Sequence, residues 1–391
     1  MQLINNILSS FKRELHEIIH DRLYRAIMLV IPFVMILFFT LMFYRGEIVD
    51  LPIAVVDKSH SPMSRKLLTM IDATQGVKIA YETQSIEEAK ELMLHGEALA
   101  TIYIDKDFEP NIFGGIPTKV KGYTLGTNIS ADGVIESNIQ QAVMTLSSGI
   151  TLNKLQAMGV GHNEAMVEIM PINILSHIVA NPYLNYGYYL APLFMFMGIV
   201  ILTVVSTIYA FGRELRYSTA LEWLNASQNS MPAAVIGKML PVTIIMTIMI
   251  QLILFILMFI IGMECSGSYL YITLSSILFI IAYQSVAITI ILLTSNLRLG
   301  LSLGGGYAVM AFTFSGITFP VTAMFDAIQP LSKLFPLSYF SEIFIDQMML
   351  GTPISYDTPK TLILMLFILL IAFIWRRLNR VVRDEKYWRE D

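Results

Sequence analysis

Five long runs of uncharged, mostly apolar residues decide what this chain can fold into. Residues 26–44, 188–212, 239–263, 269–297 and 299–325 contain no Asp, Glu, Lys or Arg. A helix needs about 20 apolar residues to cross a hydrocarbon layer of about 30 Å, so each run predicts a membrane span. A sixth run, 361–375, covers only about 22 Å at roughly 1.5 Å per residue. It is expected to reach back towards Asp357, with Trp375, Arg376 and Arg377 anchoring its far end. Pro32 lies inside the first run, and Gly304, Gly305, Gly306 and Pro320 interrupt the fifth. The first run is expected to stay uncleaved, because acidic residues precede it and no small-residue cleavage pattern follows.

Composition agrees with this reading. The 391 residues are 55% hydrophobic and 14% charged, whereas a soluble domain carries about 25% charged residues. The charges crowd into residues 1–25, 45–170 and 376–391. The expected fold class is therefore an α-helical membrane protein with six transmembrane helices and an inserted α/β extracytoplasmic domain. The formal net charge of −4 comes with no basic stripe, which argues against a nucleic-acid partner. Cys265 is the single cysteine, so an intrachain disulfide and any Cys-based metal or redox motif are excluded.

Orientation follows from Lys and Arg. One side of a six-span arrangement receives Lys12, Arg13, Arg22, Arg25, Arg213, Arg216, Lys238, Arg298, Arg376, Arg377, Arg380, Arg383, Lys386 and Arg389. The short loops opposite hold Lys333 and Lys360. The positive-inside rule then puts both termini in the cytoplasm and the long insertion outside. Residues 1–25 read as a cytoplasmic interfacial helix, with Ile4, Ile7, Leu8, Phe11, Leu15, Ile18 and Ile19 on one face. Packing of that face on a protein partner is compatible with this. Residues 326–351 read as short helices dipping back into the outer leaflet. Residues 379–391 form a cytoplasmic tail.

Between 45 and 185 the period changes. Strands are expected at 51–56, 77–81, 98–104 and 119–125, and helices at 61–71, 85–95 and 132–156, the second opened by a capping box of Ser85 and Glu88. Alternation of strand and helix predicts a small domain with a partly parallel sheet, whose last helix could instead be a stalk back to the membrane. Asp105, Asp107, Glu87, Glu88 and Glu91 read as solvated turns and helix faces. His60, His95, His162 and His177 lack ligand spacing.

The chain has no Gly-x-x-x-x-Gly-Lys-Ser/Thr loop, so it does not bind and hydrolyse ATP in that way. Ionisable residues, which ion-coupled carriers place at mid-membrane, are nearly missing from the runs, where Gln251 is one of few strongly polar groups. No cofactor is implied, and the energy for any transport is expected from outside the chain.

Layout and local sequence together resemble permeases of ABC type-2 transporters, in particular those with a large extracytoplasmic domain between the first two spans. The resemblance rests on LPIAVVDKSHSPMSRKLL at 51–68, ANPYLNYGYYLAPLF at 180–194, RELRYSTALEWL at 213–224 followed by Pro232 and Gly237-Lys238, and FSGITFPVTAMFDAIQPLSKLFPLSYF at 314–340, ending in Gly351. Two features depart from the family pattern: Ser218 stands where a Gly is usual, with Glu222 one residue late, and Ile345, beside Asp346, stands where a basic residue is common.

Residues 214–231 carry the expected function. Thr219 and Glu222 have capping-box spacing, and Leu221, Trp223 and Leu224 give the ensuing short helix bulky side chains. An exposed Trp and Leu would suit docking into a cleft; an ordinary packed loop is the plainer alternative. The resemblance implies a coupling helix that meets an ATP-binding subunit in trans, with Arg213, Glu214 and Arg216 as its polar rim. Gly300 and Gly304 have small-xxx-small spacing, open to either a contact between protomers or packing within one. Phe314, Phe319 and Phe325 could line an apolar exit or face lipid. The implied partners are the ATP-binding subunit, a second permease protomer (identical or related), membrane lipids and a periplasmic adaptor. The implied function is export of an amphipathic or lipid-like molecule, and two other readings compete with it: a non-transporting receptor or scaffold, and a secondary carrier.

Overall fold

Among the described residues, six helices are long and apolar enough to cross a membrane: Arg22–Met42, Tyr186–Arg216, Met231–Phe259, Tyr269–Thr294, Leu297–Phe314 and Ile354–Arg383. They are seen in a computed structural model that describes residues 2–170, 180–181, 185–316 and 318–387. The chain divides into two units, Met1–Gly46 with Ile178–Asp391, and Glu47–His177. His177 lies outside the described residues.

The first unit holds the six spans and the N-terminal helix Gln2–His20. The first span starts at Asp21, whose carboxylate accepts the N–H groups of Leu23 and Tyr24 at 2.9 and 3.2 Å. A π-helical turn, Ala26–Val30, precedes Pro32. Proline has no N–H to give its preceding turn, and the wider turn accommodates that break. The second, third and sixth spans run further than charge-free sequence suggested: Arg213, Glu214, Lys238, Asp357 and Lys360 are paired within them, while Arg216, Arg376, Arg380 and Arg383 continue the helices with exposed side chains. The sixth is the clearest case: the short 361–375 run belongs to a helix of 30 residues.

The fifth span is shorter than the 299–325 run. It ends at Phe314 after 18 residues, ahead of Gly316, which has φ +85°, and of Pro320. Phe319 and Phe325 therefore lie beyond the helix. Short 3-10 turns, the helix Pro336–Ile345 and a π-helical turn Asp346–Leu350 follow, ending at Gly351 with φ +64°. Phe340 of that helix stacks on Phe279 of the fourth span, with ring centroids 4.3 Å apart.

The second unit is a four-stranded sheet in the order β2-β1-β3-β4, from β1 Leu51–Asp57, β2 Val77–Glu82, β3 Ala100–Ile104 and β4 Val120–Thr124. The first three pair in parallel and β4 runs antiparallel to β3. Successive residues of a strand face opposite sides. Ile53 and Val55 accordingly join Leu67, Ile71 and Ile135 from the helices Pro62–Asp72 and Ile129–Ala157. Ala54 and Val56 meet Ala89 and Met93 of Ile86–Leu94 on the other face. Ser85 accepts the N–H of Glu88 as expected, but Glu88 returns its bond from Gln84 rather than Ser85. A reciprocal box forms one helix earlier, between Ser61 and Ser64. Two helices went unforeseen: Phe108–Gly114 and His162–Ile169.

Candidate functional site

The N-terminal helix crosses the start of the third span at very close range. A Cβ on Gly237 would stand 2.5 Å from Cβ of Ser10 and 2.6 Å from the carbonyl oxygen of Ile7, so only glycine lets the two backbones meet. Asn6, Ser10, Glu14 and Ile18, spaced by four, form the buried stripe of the N-terminal helix. Its apolar residues Ile4, Leu8, Leu15 and Ile19 are exposed on the protein surface. That suits a helix lying in a lipid interface while its polar stripe faces protein.

Four charges of alternating sign meet at this crossing. Arg13 donates two bonds to Glu214, at 2.6 and 3.1 Å. Lys238 donates to Glu214 at 2.8 Å and also to Glu14. The Tyr24 hydroxyl donates to Glu14 at 2.7 Å, and Thr219 donates to Glu214. Glu14, Glu214 and Lys238 are all buried. Charges survive such burial only when paired and hydrogen-bonded, and each one here is both. Burial by itself would weaken the Arg13 cation; the bond and charge of Glu214, helped by Glu14 and Glu17, outweigh it and raise its pKa.

A second pairing flanks the first. Arg213 reaches Glu17 at 2.7 Å, with Asp21 at 3.8 Å. The Tyr209 hydroxyl donates to Asp21 at 2.6 Å. Burial disfavours the Asp21 carboxylate, yet Tyr209, the N–H groups of Tyr24 and Leu23, and Arg213 together hold its pKa below the ordinary value.

The loop helix Ala220–Ala226 sits on this network and corrects several expectations. Trp223 is 2% exposed and Leu224 is fully buried, so neither is a free docking side chain. The Trp223 indole N–H donates to the Ser10 hydroxyl at 3.2 Å, and Ser10 donates to the carbonyl of Ala234 at 2.9 Å. The Lys238 ammonium lies 5.1 Å from the centre of the Trp223 ring. Thr219 and Glu222 do not form a capping box, because the Thr219 hydroxyl is taken by Glu214. Of the expected polar rim, Arg213 and Glu214 turn inward and Arg216 alone is exposed. The outward surface is made by Arg216, Tyr217, Leu221 and Glu222, with Leu221 38% exposed.

Sequence reasoning used Arg13 and Lys238 as orientation signals, and Lys238 also in the resemblance, but gave neither them nor Glu14 a place in the site. The available signal was the polar stripe at spacing four in the N-terminal helix, together with a lysine set directly after glycine at the edge of an apolar run.

The remaining candidates are dispersed. Gly304 faces Ile208 and Val204 of the second span, and Gly300 faces Ile208, Ile291 and Thr294. Chain atoms fill the space on that side, which favours packing within the molecule over a contact between protomers. Phe314 stacks on Phe335 at 6.1 Å between centroids, while Phe319 and Phe325 are exposed.

A second polar cluster gathers at the start of the sixth span. Lys360 pairs with Asp357 at 2.9 Å and with Asp346, and Glu342 lies 3.7 Å away. Buried Asp357 also accepts from the Gln347 amide at 2.7 Å. The sixth span thus brings a cation next to Ile345, where the sequence itself lacks one. Burial, with Asp346 and Asp357 nearby, raises the Glu342 pKa against the pull of Lys360. Among the described residues no group of three or more His, Cys, Asp or Glu side chains could hold a metal ion.

Comparison with known proteins adds one match. The model of a family described as ABC-2 family transporter protein matches residues 22–376, most of the chain. Neither the curated proteins nor the solved structures give a match. Six membrane-crossing helices and a family match over nearly their whole extent lead to one conclusion: the chain is a multi-pass membrane protein belonging to the ABC-2 transporter family, as a permease subunit.

Proposed function

We propose that this permease is the membrane part of an exporter whose ATP is hydrolysed on a separate chain, and that drive enters through the helix Ala220–Ala226. The observation that carries the reading is the two-sidedness of that helix. Its inner face, Trp223 and Leu224, is locked to the N-terminal helix and the third span, while Leu221, Glu222, Arg216 and Tyr217 are left outside. An element joined to both of these helices and exposed on one face can pass a push from a partner into the bundle. The Glu214–Arg13–Lys238–Glu14 network makes that joint stiff, since its charges cannot separate without large cost.

In this reading both termini and the loop helix lie in the cytoplasm of a bacterial cell and the spans cross its inner membrane, as the excess of Lys and Arg on that side favours. The unit Glu47–His177 lies outside, where it shapes the exit or meets a periplasmic adaptor. Two permease protomers frame the path, and the cargo is amphipathic or lipid-like.

The surface variant Leu221→Arg/Glu222→Arg tests the point of entry. Both side chains are exposed, so thermal unfolding should match wild type. Affinity for the ATP-binding subunit should fall at least tenfold, as expected when the centre of an interface is altered, with transport lost in parallel. Full affinity and full transport in the double variant would place the contact elsewhere.

A further inference from the structure

The sixth span changes character along a single face. In a helix each residue turns by about 100°, which puts Leu366, Leu369, Phe373, Arg376, Arg380 and Arg383 within one arc of about 100°. All six are exposed, Phe373 by 86%. The opposite face is buried, through Ile374, Leu378, Val381 and Val382, and it packs on the fourth span and on the helix Ala220–Ala226. Between the two faces, Arg377 donates to the carbonyls of Leu292 and Leu293 at 2.6 and 3.1 Å, closing the end of the fourth span. Arg376, Arg380 and Arg383 are different. None of them makes an ion pair among the described residues; the one salt bridge in this stretch joins Lys386 to Asp384, past the helix end.

We propose that Arg376, Arg380 and Arg383 form a binding stripe for the phosphate headgroups of anionic phospholipids in the leaflet at this end of the bundle. The argument is one of continuity. Leu366, Leu369 and Phe373 face outward on a membrane-crossing helix and contact acyl chains. The arginines continue that same face, so they stand below the acyl chains of the same lipids. Arg376 lies about 4.5 Å below Phe373 along the axis and Arg383 about 15 Å below it. The interfacial layer is roughly 5–8 Å thick, and a flexible arginine side chain extends the reach of the lower residues back to it. A protein partner docking on the loop helix would meet the other face. Charge completes the match: three guanidinium groups with no acidic partner among the described residues suit fork-shaped bonding to phosphate. The stripe requires only that the helix crosses a membrane, and it is independent of the coupling role proposed above.

Native mass spectrometry of the full chain, released from an equal mixture of phosphatidylglycerol and phosphatidylcholine, tests it. The wild type should retain phosphatidylglycerol preferentially. In Arg376→Gln/Arg380→Gln/Arg383→Gln the preference should fall by roughly a hundredfold, from about 1 kcal/mol per basic residue near a charged surface. The corresponding triple lysine variant should keep most of it. No phosphatidylglycerol preference in the wild type would overturn the proposal, as would a preference unchanged in the glutamine variant. It would equally be overturned if the glutamine variant lost binding of the ATP-binding subunit while its lipid preference stayed intact, because the face would then belong to a protein.

Discussion

Lys238→Met is expected to cost roughly 3–5 kcal/mol of stability, measured as thermal or denaturant unfolding in detergent. Lys238 and Glu14 have side-chain exposures of 0% and 1%, so water cannot compensate for a lost partner. Methionine fills much of the same volume, and the cost therefore reports charge rather than packing. Without Lys238, Glu14 keeps the Tyr24 hydroxyl and Glu214 keeps Arg13 and Thr219, but two buried carboxylates would face each other across the empty place. The double variant Glu14→Gln/Lys238→Met removes one charge of each sign and leaves the two-bond pair of Arg13 and Glu214. It should recover more than half of the loss, the non-additive behaviour expected of residues in one network. A single variant as stable as wild type, or a double variant that loses the sum of its parts, would show that the network does not hold these helices together.

Gly237→Val is expected to displace the N-terminal helix. The valine side chain would press on backbone atoms of Ile7 and Phe11, which cannot swing aside as a flexible side chain could. Overpacking of this kind costs about 1–3 kcal/mol, and here the cheapest relief is separation of the two helices. Thiol labelling reads that separation directly. In a Cys265→Ser background, a cysteine introduced by Ser10→Cys is buried behind the third span and should react slowly. Adding Gly237→Val should raise its labelling rate at least tenfold and abolish transport. A labelling rate unchanged by the valine would mean that the close approach is not needed to hold the helix.

The spans were legible because hydrocarbon tolerates so few charges that charge-free runs mark them directly. Their ends were less legible for the same reason. Glu214 and Lys238 look like residues that have left the membrane, and sequence alone does not reveal that each neutralises the other and lets the helices continue. The N-terminal helix advertised its apolar face, Ile4 to Ile19, but its polar stripe of Asn6, Ser10 and Glu14 was the side that meets protein. Trp223 shows a different limit. A helix of seven residues spans about two turns, so its amphipathic pattern does not say which face turns inward. The tryptophan went in and Leu221 stayed out. In the second unit, alternation of apolar strands and capped helices made the mixed sheet legible. The helix Phe108–Gly114 escaped because it is short and contains Pro110.

The central claim is that this bundle has no engine of its own and is driven through a partner. Vesicles reconstituted with the purified chain alone, then with its ATP-binding subunit and ATP, test it most directly, using a panel of fluorescent amphipathic dyes and labelled lipids. The account predicts no movement by the chain alone under proton or sodium gradients, and movement when the subunit and hydrolysable nucleotide are both present. Gradient-driven movement by the chain alone, with no nucleotide-hydrolysing partner bound, would contradict it.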